Sequence, residues 1–304
     1  MRSFLRRFVG DRAFYRMILA VAVPIIIQNG VTNFVGLLDN IMIGRLGTES
    51  MSGVSIVNQF VFVFSLLIFG AVSAAGIFTA QYHGAGDAQG VRHTFRFKVV
   101  VTVASAAVCI AVFCFFRAEL ISLFLHAGSE EGNLALTLAE GERYLLVSLF
   151  GLVPFALTQA YASTLRETGC TVPPMIAGLV AVVCNFVLNL QLIFGLMGFP
   201  RMGVAGAALA TVIARAAELG TLVVWTHTHT ARCPWAVGSF RSLGIPGRLF
   251  GRIIVKGLPL MLNELFWSLA ITLRNQCYAT RGLDAVAAQN IASVIYNLFS
   301  IVFL

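Results

Sequence analysis

Residues 52–80 read SGVSIVNQFVFVFSLLIFGAVSAAGIFTA, without a single charged side chain. A helix needs about 20 apolar residues to cross a hydrocarbon layer roughly 30 Å thick, so this stretch predicts a transmembrane helix. Asn58 and Gln59 interrupt it, which is tolerated where helices pack on each other or line a cavity.

The rest of the chain has the same character. Of its 304 residues, 58% are hydrophobic and 11% are charged, whereas a soluble globular protein carries roughly 25% charged residues. This composition excludes a soluble domain, a disordered chain and a small disulfide scaffold. The fold class that remains is all-α, a polytopic helical membrane protein. We therefore attribute the net charge of +8 to basic loop residues that orient the protein in the membrane, and we expect no nucleic-acid partner.

Charged residues and Gly/Pro clusters divide the chain into eight apolar segments that are long enough to span a membrane. We predict spans at 17–43, 52–80, 97–116, 143–164, 174–197, 203–226, 257–280 and 285–304. With these spans, fourteen basic residues fall on the side of the N-terminus and five on the opposite side. Because basic loops stay inside, we expect a multi-pass protein of the cytoplasmic (inner) membrane with a cytoplasmic N-terminus.

The chain contains an internal repeat. A shift of 235 positions superimposes span 1 on span 7 and aligns Pro24 with Pro259 and Asn40 with Asn275. Chance similarity between apolar helices is the alternative. Because six spans separate the copies, the two halves have the same orientation, as in many transporters.

This repeat predicts three regions. Residues 1–230 form a six-helix N-terminal bundle, 231–256 a basic cytoplasmic linker, and 257–304 the first two helices of a second, parallel-repeat bundle. Span 8 ends in Phe299–Leu304 with no charged residue after it. We therefore expect the chain to be a C-terminally truncated part of a protein about 150 residues longer.

Polar residues in spans 1, 5 and 6 are predicted to lie at similar depths. With a rise of 1.5 Å per residue, Asp39, Asn189 and Thr211 fall in the outer half of the membrane, and Asn185 lies on the same helix face as Asn189. A carboxylate, two carboxamides and a hydroxyl form an oxygen-rich set that suits a hard cation, here Na⁺, or a proton. The alternatives are a hydrated carboxylate at the outer rim and asparagines that serve packing alone.

Other charged residues in the spans receive separate interpretations. Glu264 is predicted to lie about 12 Å inside span 7 with no basic neighbour, so we assign it to a functional cavity of the second bundle. Arg215 and Glu218 are i, i+3 and are predicted to form a structural ion pair. Arg274 occupies the repeat position of Asp39 and is long enough to extend its guanidinium outward.

Several enzyme classes lack their motifs. Neither of the two lysines follows a glycine, so there is no P-loop, and no HExxH, GxSxG or GxGxxG sequence occurs. The six cysteines form no CxxC spacing. We therefore predict that the protein is not an enzyme and uses no cofactor other than a coupling ion.

Several short segments occur in a recognisable order along essentially the whole chain. They are Pro24 with residues 38–47 (LDNIMIGRLG), 80–87 (AQYHGAGD), 165–169 (LRETG), 185–195 (NFVLNLQLIFG), 203–211 (GVAGAALAT), 258–259 with Glu264, and 287–291 (AAQNI). Together, and in family order, they resemble the multidrug and toxic compound extrusion (MATE) transporters.

The resemblance implies twelve spans in two six-helix bundles and export of cationic, amphipathic compounds in exchange for Na⁺ or H⁺. It implies a coupling-ion site at Asp39, Asn185 and Thr211, and a role in the second bundle for Glu264. The family often has aspartate where this chain has Asn189, which leaves the choice of ion and the stoichiometry open.

We therefore expect a secondary antiporter that works by alternating access on cationic drugs or toxins, as a monomer in the lipid bilayer. The alternative is a flippase for lipid-linked oligosaccharides, which has a similar two-bundle fold. Such a flippase needs several cationic residues in its cavity to bind pyrophosphate, and the spans offer Arg215 and Arg274.

Overall fold

A computed structural model describes residues 11–125, 134–242 and 244–279, together with Gln289 and Ala292. This part of the chain is helical and contains no strand. Short 3₁₀ turns lie at Leu196–Gly198 and Pro234–Ala236. The α-helices are α1 (Arg12–Gly44), α2 (Thr48–Gly84), α3 (Ala88–Phe115), α4 (Arg117–Leu125), α5 (Leu134–Glu167), α6 (Val172–Phe194), α7 (Val204–Thr228) and α8 (Gly247–Ala279).

Seven of these helices are long and apolar enough to cross a membrane, and α4 is the exception. They correspond to the first seven predicted spans, whereas the eighth, 285–304, lies outside the described residues except for Gln289 and Ala292. Hydropathy did not predict α4, because its nine residues are too short to span a membrane. Helix α8 begins at Gly247, so residues 247–256 of the predicted linker are helical.

Local signals explain where the helices begin and end. The Asp11 side chain accepts a hydrogen bond from the Phe14 amide at 2.7 Å, and Asp87 accepts one from Gly90 at 2.9 Å. Both caps satisfy amides that a helix N-terminus leaves without a partner. Helix α6 ends at Phe194 and is followed by Gly195, whose φ of 73° is the left-handed conformation that favours glycine.

Six of the seven long helices form a bundle, namely α1, α2, α3, α5, α6 and α7. Helix α2 packs along α5, α7 packs on both α5 and α6, and α1 lies against α6. The main core is apolar and is centred on Phe64 and Ile68 of α2 and Leu145 of α5. Large apolar side chains such as Phe115 and Phe150 remain exposed on the outside, as expected for helices that face lipid.

The linker before α8 is held against α3. The Arg96 guanidinium donates to the carbonyls of Ser239 at 2.7 Å and Gly238 at 2.9 Å. The Trp235 ring is buried, and its centroid lies 4.8 Å from that of Phe95. Helix α8 then packs along α2, and this contact brings the start of the predicted second bundle against the first.

Candidate functional site

A cavity of about 290 Å³ opens between α1, α2, α5, α6 and α7. Its lining mixes apolar residues with polar ones, and the polar side chains come from all five helices. They are Asp39, Asn40, Asn58, Ser65, Tyr144, Ser148, Asn189, Thr211 and Arg215. Because most of the surrounding bundle is apolar, this concentration of polar groups identifies the cavity as the candidate site.

Asp39 provides the carboxylate of this cavity. The Asn189 amide nitrogen donates to Asp39 Oδ1 at 2.5 Å. Asn189 is 1% exposed, so this hydrogen bond connects α1 to the buried face of α6. Asp39 is itself partly buried, and it therefore lies among helices and not in bulk solvent.

The polar contacts continue from α6 to α7. Asn189 Nδ2 also lies 3.1 Å from Asn185 Oδ1, and Asn185 Nδ2 lies 3.1 Å from the Thr211 hydroxyl. The hydroxyl in turn donates to the carbonyl of Ala207 at 3.1 Å. Asn185 and Asn189 reach the same place because residues i and i+4 share a helix face. A continuous hydrogen-bonded chain thus joins α1, α6 and α7.

The amide of Asn185 fits in two orientations, and each matches a different charge state of Asp39. In the first, Asn185 Oδ1 faces the two Asp39 oxygens at 3.0 and 3.2 Å. Two oxygen acceptors this close to each other need a proton between them. In the second, Asn185 Nδ2 donates to Asp39 Oδ1 at 3.0 Å and to Oδ2 at 3.2 Å, while its oxygen accepts from Thr211 at 3.1 Å.

The second orientation satisfies both ends of the Asn185 amide, because its nitrogen then faces the Asp39 carboxylate and its oxygen faces the Thr211 hydroxyl. It also brings the amide nitrogens of Asn185 and Asn189 to 3.1 Å. In this orientation the N–H groups of both asparagines bind an ionised Asp39.

Oxygen atoms for a small cation are also present. Asn189 Oδ1 is buried and has no hydrogen-bond partner, and the oxygens of Asp39, Asn185 and Thr211 lie in the same hydrogen-bonded chain. Such hard oxygen ligands fit Na⁺ better than a transition metal. The described residues contain no group of three His, Cys, Asp or Glu side chains that could hold a metal ion.

Arg215 lies in the same cavity, which the sequence interpretation missed. Its Nη1 donates to Glu218 Oε2 at 2.9 Å, as the i, i+3 spacing predicted. The guanidinium carbon also lies 5.0 Å from the centroid of the Phe155 ring. Arg215 follows Thr211 by four residues, so a shared helix face was the signal that could have placed it at the site.

Tyr144, Asn58 and Ser65 also line the cavity and were not predicted. The Tyr144 hydroxyl lies 3.5 Å from Asn58 Oδ1. Asn58 and Ser65 are polar residues within the apolar stretch 52–80. They are seven residues apart, which places them on one face of α2, and this spacing was the available signal.

Glu264 lies in a different cavity, of about 320 Å³, between α2 and α8. The remaining lining is almost entirely apolar and consists of Val63, Leu66, Leu67, Gly70, Leu258, Leu262, Leu265 and Ser268. The structure thus brings Asp39, Asn185, Asn189 and Thr211 together and places Glu264 in a separate, apolar environment.

Comparisons with known proteins identify the family. Residues 24–191 match the family model described as MatE, which covers more than half of the chain. The chain belongs to the MatE family. Its relatives are membrane transporters rather than enzymes.

Similar proteins include the probable multidrug resistance protein NorM of Thermotoga maritima, 30% identical over 67% of this chain and 43% of its own. NorM of Pseudomonas aeruginosa is 26% identical over 94% of this chain and 57% of its own. This MatE chain thus spans about half the length of these relatives.

Solved MATE structures share the fold. A MATE transporter in the bent conformation superimposes on 95% of this chain with a TM-score of 0.80 and 21% identity, over 62% of its own length. A MOP superfamily transporter from Pyrococcus furiosus gives 0.77 and 22% over 94% of this chain and 61% of its own. The all-α membrane fold that the sequence predicts is confirmed.

Proposed function

We propose that this MatE chain belongs to a secondary active exporter that expels cationic or amphipathic small molecules by antiport with H⁺ or Na⁺. The observation that carries the proposal is the hydrogen-bonded chain from Asp39 through Asn189 and Asn185 to Thr211. A carboxylate among oxygen and amide groups inside a membrane bundle can bind a small cation and release it again.

Ion loading changes the packing of three helices. When a proton or Na⁺ neutralises Asp39, the amide of Asn185 turns its oxygen to Asp39 and its nitrogen to Thr211. When the ion leaves, the carboxylate attracts the amide N–H groups, and Thr211 is drawn from the Ala207 carbonyl to the Asn185 oxygen. Ion binding therefore favours one packing of α1, α6 and α7 over another, as alternating access requires.

The ion gradient and the membrane potential supply energy for export. One elementary charge that moves inward across 100 mV releases about 2.3 kcal/mol, but the outward movement of a monovalent cation costs the same amount. In a one-for-one exchange the concentration gradient of the coupling ion therefore drives export, and the potential contributes when more positive charge enters than leaves.

Glu264 provides a site for the exported molecule. Its cavity combines one carboxylate with an apolar lining, which complements a compound with an apolar body and a positive charge. The relatives' names, multidrug resistance proteins, agree with such cargo. We place the N-terminus in the cytoplasm and expect a monomer in the bilayer.

A flippase for lipid-linked oligosaccharides has less support. Among the described residues that line the Asp39 cavity, Arg215 is the one cationic side chain. Recognition of pyrophosphate favours several arginines or lysines.

The test is efflux by the Asp39→Asn variant of the full protein encoded by the gene. Asparagine keeps the size of the side chain and removes the group that ionises, so we expect loss of fluorescent-cation efflux at normal expression. Asp87→Asn is the matched control, because Asp87 caps α3 away from the cavity and its remaining oxygen still accepts from Gly90. Normal efflux by Asp39→Asn would refute the proposal.

A further inference from the structure

Arg215 occupies an unusual position for a structural ion pair. Among the described residues that line the Asp39 cavity, the charged ones are Asp39 itself and Arg215. The Arg215 side chain is 34% exposed, whereas Glu218 is 7% exposed. The arginine thus presents part of its guanidinium to the cavity, while its partner Glu218 is buried in the protein.

Two contacts hold the guanidinium in place. Glu218 accepts from Nη1 at 2.9 Å, and the Phe155 ring lies under the guanidinium at 5.0 Å. Arg215 and Asp39 line the same cavity, so the positive charge of the guanidinium attracts the carboxylate across it. The negative charge of Glu218 partly offsets that attraction.

We propose that Arg215 is the internal counter-ion of Asp39, which stabilises the empty, ionised carboxylate once the coupling cation has left. This inference rests on the proposed function, because it assumes that Asp39 carries the coupling cation. An unpaired carboxylate inside a membrane bundle is costly. A fixed positive charge lowers that cost, and it lowers the affinity for the incoming cation by the same free energy.

This effect matters because a carrier must release its ion in every cycle. Binding has to be strong enough for loading and weak enough for release. Among the described residues, the other groups that face Asp39 are uncharged: α2 contributes Asn58 and Ser65, α6 contributes Asn185 and Asn189, and α5 contributes the phenol of Tyr144. Within the described lining of this cavity, Arg215 is therefore the group whose positive charge opposes cation binding at Asp39.

The experiment measures fluorescent-cation efflux by the full protein in proteoliposomes, against the concentration of H⁺ and, separately, of Na⁺. For the ion that drives efflux, we expect Arg215→Gln to lower the half-maximal concentration about tenfold, because one positive charge near the site is lost. The maximal rate should fall, since release becomes slower. Arg215→Lys keeps the charge and should retain a half-maximal concentration near that of the wild type.

Glu218→Gln gives a second test with the opposite sign. It removes the negative charge that offsets Arg215, so the half-maximal ion concentration should rise. If Arg215 only supports packing, Arg215→Gln and Arg215→Lys will both reduce expression or rate and leave the half-maximal concentration unchanged, which overturns the inference.

The two proposals fail in different ways. Normal efflux by Asp39→Asn removes Asp39 as the ion carrier and refutes both. Loss of efflux in Asp39→Asn, with no change of ion affinity in Arg215→Gln and Glu218→Gln, keeps the proposed function and refutes the counter-ion role alone.

Discussion

The ammonium of Lys98 is completely buried and forms an ion pair with the carboxylate of Glu167. Its nitrogen also donates to Ser163 Oγ at 2.9 Å and Thr164 Oγ1 at 3.3 Å. All three partners lie on α5, so this side chain joins α3 to the last turns of α5. The Glu167 side chain is 19% exposed, and the two charges therefore differ in their access to water.

This difference predicts unequal costs for the two single substitutions. Glu167→Gln leaves a fully buried positive charge unpaired and should lower stability by about 3 kcal/mol. Lys98→Met leaves a carboxylate that reaches solvent and should cost less, about 1 kcal/mol. Thermal unfolding in detergent measures both, and the double variant should be more stable than Glu167→Gln alone. Equal losses in the two single variants would contradict this account.

Close packing of α6 and α7 predicts a steric effect at Gly206. A Cβ at this position would lie 2.5 Å from the Leu192 carbonyl oxygen, so Gly206→Ala forces the helices apart and should cost about 1–3 kcal/mol. Gly220→Ala is the control on the same helix, because a Cβ there has no neighbour within 4 Å. Alanine at 220 should be neutral or stabilising by up to about 1 kcal/mol. Equal unfolding temperatures for the two variants would contradict the predicted steric effect at Gly206.

We expect the Asn189→Asp substitution to increase the affinity of the site for the coupling ion. Asn189→Asp places a second carboxylate beside Asp39, and two adjacent carboxylates hold a shared cation more tightly than one. We expect the half-maximal concentration of the coupling ion to fall about tenfold. The dependence of efflux on pH and on Na⁺ measures this change, with Asn58→Asp as a comparison elsewhere in the cavity. An unchanged ion dependence would mean that position 189 does not face the ion.

We expect the thiol of Cys233 to resist alkylation in the folded protein. It is fully buried in the linker, and burial raises the pKa of its thiol to about 12. Because the thiolate is the reactive form, the folded protein should show little labelling of Cys233 by N-ethylmaleimide at pH 8. Mass spectrometry should find it labelled after unfolding in detergent, and in the folded Trp235→Ala variant, which removes the neighbouring indole. Rapid labelling of the native protein would show that the linker opens readily.

The sequence predicts the spans well and the cavity only in part. Hydropathy locates seven helices because lipid requires long apolar segments, and the rise per residue places Asp39 and Asn189 at the same depth. Arg215 was interpreted as structural because its pairing with Glu218 is local, whereas its position in the cavity depends on how α7 rotates against α5. The sequence predicts a cavity of the second bundle for Glu264, whereas the position of that cavity against α2 depends on how α8 packs. Such rotations are set by side-chain packing between helices, which a single sequence does not display.

The hydrogen bonds of Arg96 restrict how the linker before α8 can move. The Arg96 guanidinium donates to the carbonyls of Gly238, Ser239 and, at 3.3 Å, Gly244, which ties these residues to α3. We therefore expect α8 to rotate against α2 about the short stretch around Pro246. A hinge this short allows tilting about a nearly fixed pivot and leaves little slack for α8 to move away from α2.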